Sequence, residues 1–212
     1  MNNQFSPNML KTFEQCPKKF YIKYVKHVNM PVNDDIFEFG KNIHALASYY
    51  LKNENIDKME SVLTQKETEV WKYLKSVKYF SFEVINTEYS LTVKVDKYYF
   101  GGRIDALVKV DDEYYILDYK TGSAPKNAKY DFQTMIYLLA VSKFFKTEKV
   151  NFVYLDLKNK TEVKIQLTNE LISEYEKKLI QIANKISTMD EPVKKPDCNS
   201  TDCSCEYKAI CF

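Results

Sequence analysis

The sequence predicts a mixed α/β domain, in which a central sheet has helices on both faces and follows an N-terminal helical portion. Two observations lead to this fold class. Segments 37–51 and 130–145 carry apolar residues at helical spacing. Segments 79–99, 149–157 and 161–167 are rich in β-branched and aromatic residues and are bounded by polar breaks, which is typical of strands. Since the chain has 212 residues, these elements fit one domain.

Capping residues and prolines mark the ends of the first and last helices. Ser6 followed by Pro7 is a helix start, and the helix that begins there is predicted to be interrupted at Pro17. Thr168 is the predicted N-cap of a last helix, which is expected to run to about Ile186.

The middle of the chain changes from helix to strand. Segment 55–76 predicts one polar helix with an apolar side, and the polar pair Asp96-Lys97 predicts a hairpin that returns into Gly101. Glu88, a charged residue in an otherwise apolar strand, could reach a functional site or face solvent, and the solvent-facing position is the preferred prediction.

Composition restricts the kind of partner. The net charge is only +2, so a nucleic-acid surface would need local clusters of lysine. Arg103 is the only arginine, so the chain is not suited to recognising bases through bidentate arginine contacts. Its many lysines suit contact with the phosphate backbone. No apolar run is long enough to span a bilayer and no signal pattern begins the chain, so a cytoplasmic protein without membrane contact is expected.

A second predicted hairpin carries a set of charged residues. Its strands, Ile104–Val110 and Tyr114–Tyr119, flank the acidic pair Asp111-Asp112. A turn centred on that pair sets Asp105 opposite Asp118, with Cβ atoms about 5 Å apart, where like charges are destabilising. The same register gives the pairs Val110–Glu113 and Lys109–Tyr114.

A bound divalent metal would offset the repulsion between these acids. Lys120 lies two residues beyond Asp118 and therefore shares its face. Mg²⁺ takes carboxylate oxygens and keeps positions open for water and phosphate, and a lysine beside it can orient water or neutralise a phosphate. A surface hairpin whose acids are paired by Lys120 and Arg103 is the alternative interpretation.

The motifs around this hairpin resemble a known family. Gly-x-x-Asp, from Gly102 to Asp105, and Asp-x-Lys-Thr-Gly, from Asp118 to Gly122, resemble motifs II and III of the PD-(D/E)XK nuclease superfamily. The RecB-like exonuclease branch is the most similar. It includes the CRISPR-associated RecB-like nucleases and the nuclease domains of the AddAB and RecBCD helicase–nucleases.

Two further motifs extend the resemblance. Gly40-x-x-x-His44 matches motif I, in which the histidine is a metal ligand, although a lone helical histidine is otherwise more often structural. Gln133-x-x-x-Tyr137 matches the Q-x-x-x-Y motif associated with the active site and the DNA strand, although both side chains could simply be exposed on a packed helix. The resemblance implies a metal site formed by His44, Asp105, Asp118 and the backbone carbonyl of Tyr119.

The resemblance also implies how the domain is organised. It describes a single nuclease domain over residues 1–212 with a restriction-endonuclease-like central sheet. Residues 1–80 would form the helical portion, residues 81–187 the nuclease core, and residues 188–212 a cysteine-rich tail packed on the N-terminal helix.

The cysteines predict a second site. Cys198, Cys203, Cys205 and Cys211 crowd the last fifteen residues, and Cys16 is far away in sequence. In a reduced compartment such a cluster favours metal or redox roles, so four sulfurs indicate Zn²⁺ or an iron–sulfur cluster, with free thiols as the alternative.

The resemblance favours a 4Fe–4S cluster over zinc. Members of this branch that carry one use an N-terminal cysteine and three near the C-terminus. Cys16 fits the first place, and Cys205 and Cys211 have the expected interval. An aspartate stands where the third C-terminal cysteine is expected, so that Cys203, or alternatively Cys198, would complete the set.

The resulting hypothesis is an Mg²⁺- or Mn²⁺-dependent exonuclease of single-stranded or end-accessible DNA, with protein partners in a DNA-processing complex. Asp105, Asp118, Lys120, Gln133 and Tyr137 are its predicted catalytic residues. Two alternatives remain at this point. One is a non-catalytic DNA-end-binding or complex-forming module on the nuclease scaffold, and the other is a zinc-binding interaction protein.

Overall fold

The structure is a computed structural model that describes residues 3–31, 35–193 and 205–211. Its helices are α1 (Pro7–Gln15), α2 (Pro17–Phe20), α3 (Asp35–Leu51), α4 (Asp57–Ser61), α5 (Gln65–Ser76), α6 (Phe132–Phe145) and α7 (Asn169–Ser187). Its strands are β1 (Gln4–Phe5), β2 (Glu83–Val95), β3 (Tyr98–Val110), β4 (Glu113–Lys120), β5 (Val150–Asp156) and β6 (Thr161–Gln166). None of the helices described is long and apolar enough to cross a membrane.

The strands form one mixed sheet with β3 at its centre. On one side, β3 pairs antiparallel with β2 from Tyr98 to Lys109. Its other side is shared, because β1 pairs in parallel with Tyr99 and Phe100 while β4 pairs antiparallel with Ala106–Val110. Among the described residues, positions 101–105 of β3 therefore have a strand partner on one side only. β5 and β6 extend the sheet beyond β4.

Helices cover both faces of the sheet. One core joins Phe100 and Phe152 of the sheet to buried residues of α1, α6 and α7. The other core joins Val108 and Leu117 to buried residues of α3 and α5, including Trp71. This arrangement confirms the predicted α/β class.

The hairpin of β3 and β4 has the predicted register. Val110 pairs with Glu113 and Lys109 with Tyr114, and Asp111 turns the chain with a φ of 51°. The main-chain ladder ends at the pair Ala106–Leu117. Extended by one residue, the register sets Asp105 opposite Asp118.

The N-terminal helices begin and end as predicted. Ser6 accepts a hydrogen bond from Met9 N at the start of α1, and the chain leaves α1 at Cys16. Cys16 then caps α2, since its Sγ accepts a hydrogen bond from Lys19 N. Residues Tyr21–Val25 continue α2 as a π-helical turn.

Two elements differ from the sequence predictions. The single helix predicted over segment 55–76 is wrong, because α4 ends at Ser61 and α5 begins after Thr64 with a capping box formed by Thr64 and Glu67. Strand β1 was not predicted. Two residues show no alternation, and only the pairing with β3 makes them a strand.

The described part of the C-terminal tail lies against the N-terminal helices. Tyr207 donates a hydrogen bond from its hydroxyl to Val28 O at 3.0 Å, and Lys19 pairs with Glu206 at 2.9 Å. Tyr207 and Cys211 are buried in a small cluster with Ile22. The first and last described segments of the chain are therefore in contact.

Candidate active site

A cleft of about 1270 Å³ opens where β3 lacks its second strand neighbour. The start of α1, one side of α3, the middle of β3 and the end of β4 line it. Because both flanking strands stop short of positions 101–105, side chains here reach the cleft from several elements. The cleft brings together the predicted residues His44, Asp105, Lys120, Gln133 and Tyr137.

Three residues at the site contact one another pairwise: Asp105, His44 and the backbone of Tyr119. Asp105 Oδ2 accepts a hydrogen bond from Tyr119 N at 2.7 Å, which continues the connection between β3 and β4 beyond the end of their ladder. His44 Nε2 lies 2.9 Å from Tyr119 O, and its Nδ1 lies 3.2 Å from Asp105 Oδ1. Both imidazole nitrogens thus face acceptor oxygens.

This environment favours a charged imidazole. Burial lowers the pKa of His44, but the hydrogen bond and charge of Asp105, with a contribution from the Tyr119 carbonyl, outweigh it and raise the pKa above its usual value. A positive charge at this point of the cleft is therefore stabilised by its surroundings.

Asp118 is buried and is held by Lys120 and Gln133. Lys120 Nζ lies 2.7 Å from Asp118 Oδ2 and donates a hydrogen bond to Gln133 Oε1 at 3.0 Å. Gln133 Nε2 donates to Asp118 Oδ1 at 3.2 Å. Gln133 stands at the start of α6, where Asp131 caps the helix by accepting a hydrogen bond from Gln133 N. The Lys-Asp-Gln group is thus fixed by a helix terminus.

The electrostatics of Asp118 depend on its burial and on Asp105. Burial of Asp118, followed by the negative charge of Asp105, raises the pKa of Asp118 to about 6, although Lys120 and His44 act in the opposite direction. A cation bound beside these acids would favour their charged forms.

Tyr137 braces the backbone of β3 beside the acids. Its side chain is buried, and its hydroxyl donates a hydrogen bond to Arg103 O at 3.2 Å. Its ring packs over Gly102, where an added Cβ would lie 2.5 Å from the hydroxyl oxygen. Gly102 and Tyr137, from two different motifs, are therefore one packing unit.

Glu88, which the sequence predicts to face solvent, instead lines the cleft. Its φ is 50°, and it sits where β2 changes the face that it buries. Thr87 contacts Ser48 of α3 at 2.7 Å, whereas Tyr89 packs in the opposite core against α6 and α7. The backbone thus turns the Glu88 side chain into the cleft, where it pairs with Arg103 Nε at 2.8 Å.

One group of described residues is spaced to hold a metal ion. His44, Glu88 and Asp105 each offer a ligand atom, and these atoms lie within 4.8 Å of one another. Asp118 is not a member of this group, because its carboxylate is turned toward Lys120 and Gln133. A mixed imidazole and carboxylate donor set suits a divalent cation.

Comparisons with known proteins agree with this geometry. The family model of the PD-(D/E)XK nuclease superfamily matches residues 4–81 and 64–212. The chain belongs to the PD-(D/E)XK nuclease superfamily. It is 30% identical over 151 residues to the CRISPR-associated exonuclease Cas4 of Francisella tularensis subsp. novicida strain U112. The aligned region covers 69% of this chain and 73% of that protein.

A solved structure has a fold similar to that of this chain. A proposed exonuclease from Eubacterium rectale superposes with a TM-score of 0.59 at 14% identity, covering 95% of this chain and 86% of that one. At this level of identity the likeness concerns the fold alone.

Sequence reasoning missed two parts of this PD-(D/E)XK cleft. One is the orientation of Glu88, for which the sequence favours the solvent-facing alternative because strand alternation gives no sign of the change of face. The other is the extension of the cleft along α3 from His44 to Ser48, Tyr49 and Lys52. The four-residue spacing of His44, Ser48 and Lys52 is the signal that could have identified it.

The predicted cysteine ligands are only partly within the described residues. Cys16 lies between α1 and α2, and Cys205 and Cys211 lie in the described tail segment. Cys198 and Cys203 lie outside the described residues.

Proposed function

We propose that this protein is a metal-dependent exonuclease that hydrolyses phosphodiester bonds of single-stranded or end-accessible DNA. The observation that carries the proposal is the meeting of His44, Asp105, Asp118 and Lys120 where β3 and β4 separate. Membership in a nuclease superfamily and similarity to an exonuclease support the reaction class.

The donor atoms fit Mg²⁺ or Mn²⁺. One nitrogen of His44 and an oxygen of Asp105 lie close enough together to share a cation, which would replace the imidazole proton on that nitrogen. We assign His44, Asp105, Asp118 and the Tyr119 carbonyl as the ligands, and Asp118 would exchange its contact with Lys120 or Gln133 for the cation. A cation bound there would polarise the scissile phosphate and lower the pKa of a bound water.

Lys120 is the candidate for orienting water or phosphate. Its ammonium group has three donors, and the contacts with Asp118 and Gln133 use two of them. The third can reach a water molecule or a phosphate oxygen in the cleft. Such a fixed donor stabilises charge that develops on the phosphate and is worth about 10²–10³ in rate.

The residues that line the cleft suit the binding of single-stranded DNA. Tyr49 on α3 is 44% exposed and lines the cleft together with Lys41 and Lys52. An exposed aromatic ring can stack on any base, contributing about 1–3 kcal/mol, and lysines contact phosphates without reading sequence.

The test compares Lys120→Ala with the wild type on end-labelled DNA in Mn²⁺. We expect release of label to fall about 100-fold or more, because the donor to water or phosphate is lost. Lys72→Ala, which removes an exposed lysine of α5 that is not among the cleft residues, should retain wild-type activity. Circular single-stranded DNA should resist the wild type, and chelation of the metal should stop digestion of the linear strand.

Full activity of Lys120→Ala would contradict the assignment. If the wild type instead bound DNA ends without any metal-dependent cleavage, the non-catalytic DNA-end-binding module would be favoured. Similarity to a CRISPR-associated protein supports the further proposal of protein partners in a DNA-processing complex.

We also propose a 4Fe–4S cluster held by Cys16, Cys205, Cys211 and either Cys203 or Cys198. The contacts of Tyr207 and Glu206 with the segment that follows Cys16 support it, since they bring the tail to the N-terminal helices. Four thiolates are the usual ligands of such a cluster.

A further inference from the structure

We infer that Glu88 is an additional ligand of the catalytic cation, and that Arg103 neutralises Glu88 until the cation binds. The inference rests on the proposed metal-dependent nuclease and names a ligand beyond the four assigned above.

Glu88 stands beside the metal site across the strand pair. Thr87 pairs with Ala106 and Tyr89 with Ile104, so position 88 falls opposite Asp105. Extending the β3–β4 register places Asp118 on the other side of Asp105. Three carboxylates therefore follow one another across β2, β3 and β4, an arrangement that like-charge repulsion makes unfavourable unless cations balance it.

The three acids have different counterions in the structure. Asp118 is paired with Lys120 and Asp105 with His44. Glu88 is paired with Arg103, whose Nε lies 2.8 Å from its Oε2. Of these cations, Lys120 and His44 are largely buried, whereas the Arg103 side chain is 67% exposed.

That exposure makes the Arg103 contact the weakest of the three. Ion pairs open to solvent contribute little to stability, because water screens them and the side chains lose freedom. A divalent cation between His44 and Asp105 would be within reach of the Glu88 carboxylate, since their ligand atoms lie within 4.8 Å of one another. Glu88 can therefore exchange Arg103 for the cation, which releases the only arginine of the chain to contact a phosphate.

The test measures Mn²⁺ binding directly, by the loss of the free-ion signal in electron paramagnetic resonance. We expect Glu88→Gln to raise the Mn²⁺ dissociation constant about tenfold or more, and Arg103→Gln to lower it several-fold because a competitor for Glu88 is removed. Glu83→Gln removes the same charge from an exposed position of the same strand and should bind Mn²⁺ like the wild type. Circular dichroism and the melting temperature in chelator confirm that each variant is folded.

The outcomes separate this inference from the proposed function. Wild-type Mn²⁺ binding by Glu88→Gln, together with weakened binding by His44→Ala, would overturn the role of Glu88 and leave the nuclease site intact. Weaker binding by Arg103→Gln would overturn the counterion role of Arg103. Absence of Mn²⁺ binding by the wild type would overturn both the inference and the metal-dependent function.

Discussion

Two motif glycines, Gly102 and Gly40, differ in how closely their neighbours approach. A Cβ on Gly102 would lie 2.5 Å from the Tyr137 hydroxyl oxygen and 3.3 Å from the nearest ring carbons. A Cβ on Gly40 would lie 3.6 Å from Thr121 Oγ1, an ordinary contact. Steric space therefore requires a glycine only in the motif that carries Asp105.

We expect Gly102→Ala to destabilise the protein by about 1–3 kcal/mol, since the buried Tyr137 must move and lose its bond to Arg103 O. Gly40→Ala, inside α3, should be neutral or stabilise by up to about 1 kcal/mol through helix propensity. Urea unfolding measures both. Adding Tyr137→Phe to Gly102→Ala should recover part of the loss, and strict additivity of the two changes would contradict the packing argument.

The site residues show what could be predicted from sequence and what could not. The position of Asp105 opposite Asp118 follows from one turn, because a hairpin register propagates from its turn residues. The change of face at Glu88 depends on packing against α3 on one side and α6 and α7 on the other, which no local pattern records. His44 was placed by motif resemblance, and only the tertiary fold shows which oxygens it faces.

At the scale of elements, α3 and α5 are joined through one carboxylate. Glu67 completes the capping box with Thr64 and also accepts a hydrogen bond from Asn42 Nδ2 of α3 at 2.9 Å. The pattern Thr-x-x-Glu is present in the sequence, so the start of α5 was predictable even though segment 55–76 was read as one helix. The hydrogen bond from Asn42 to Glu67 was not predictable, because the two residues lie 25 positions apart in sequence.

The Glu67 contacts predict a pH dependence of stability. Hydrogen bonds from Asn42, and then from Thr64, lower the pKa of Glu67 below its usual value despite its burial. Its contribution is therefore present above the unfolded-state pKa of about 4.3 and is lost as pH falls through the folded-state pKa. We expect Glu67→Gln to cost about 1 kcal/mol at pH 7 and less under acidic conditions.

Denaturant unfolding at several pH values measures this difference. Glu69→Gln is the matched control, since it removes an exposed carboxylate from the same helix and should change stability little at any pH. A cost for Glu67→Gln that stayed constant down to strongly acidic pH would argue against the proposed hydrogen-bonded carboxylate.

At the scale of the whole molecule, residues late in the described part of the chain contact the first described segment. Glu191 pairs with Lys18 at 3.0 Å and with Lys26 at 3.1 Å, and Tyr207 is buried against the same region. The family resemblance of the cysteine pattern predicted that the tail packs on the N-terminal helix. The ion pairs and the Tyr207 hydrogen bond were unpredictable, because they join residues more than 130 positions apart.

The proposed cluster can be tested at Cys16, which has two roles. Cys16→Ser keeps a side-chain acceptor for Lys19 N at the start of α2 and removes the thiolate. After anaerobic purification we expect about four iron atoms per wild-type chain, loss of most iron in Cys16→Ser, and a lower melting temperature for that variant. Cys16→Ala additionally removes the cap and should melt lower still.

Retention of iron by Cys16→Ser would exclude Cys16 from the cluster. Zinc at one atom per wild-type chain, without iron, would favour the zinc alternative.

A central strand is ordinarily the best-protected part of a sheet, since neighbours bond it on both sides. In β3 this protection is interrupted at residues 101–105, where β2 is the only strand partner within the part of the chain that the structure describes. Amide hydrogens that face the vacant side are consequently open to exchange with solvent, flanked by stretches that are closed to it. The interval in which the backbone of β3 pairs with one described strand only is also the interval that carries Asp105 and lies beside Glu88.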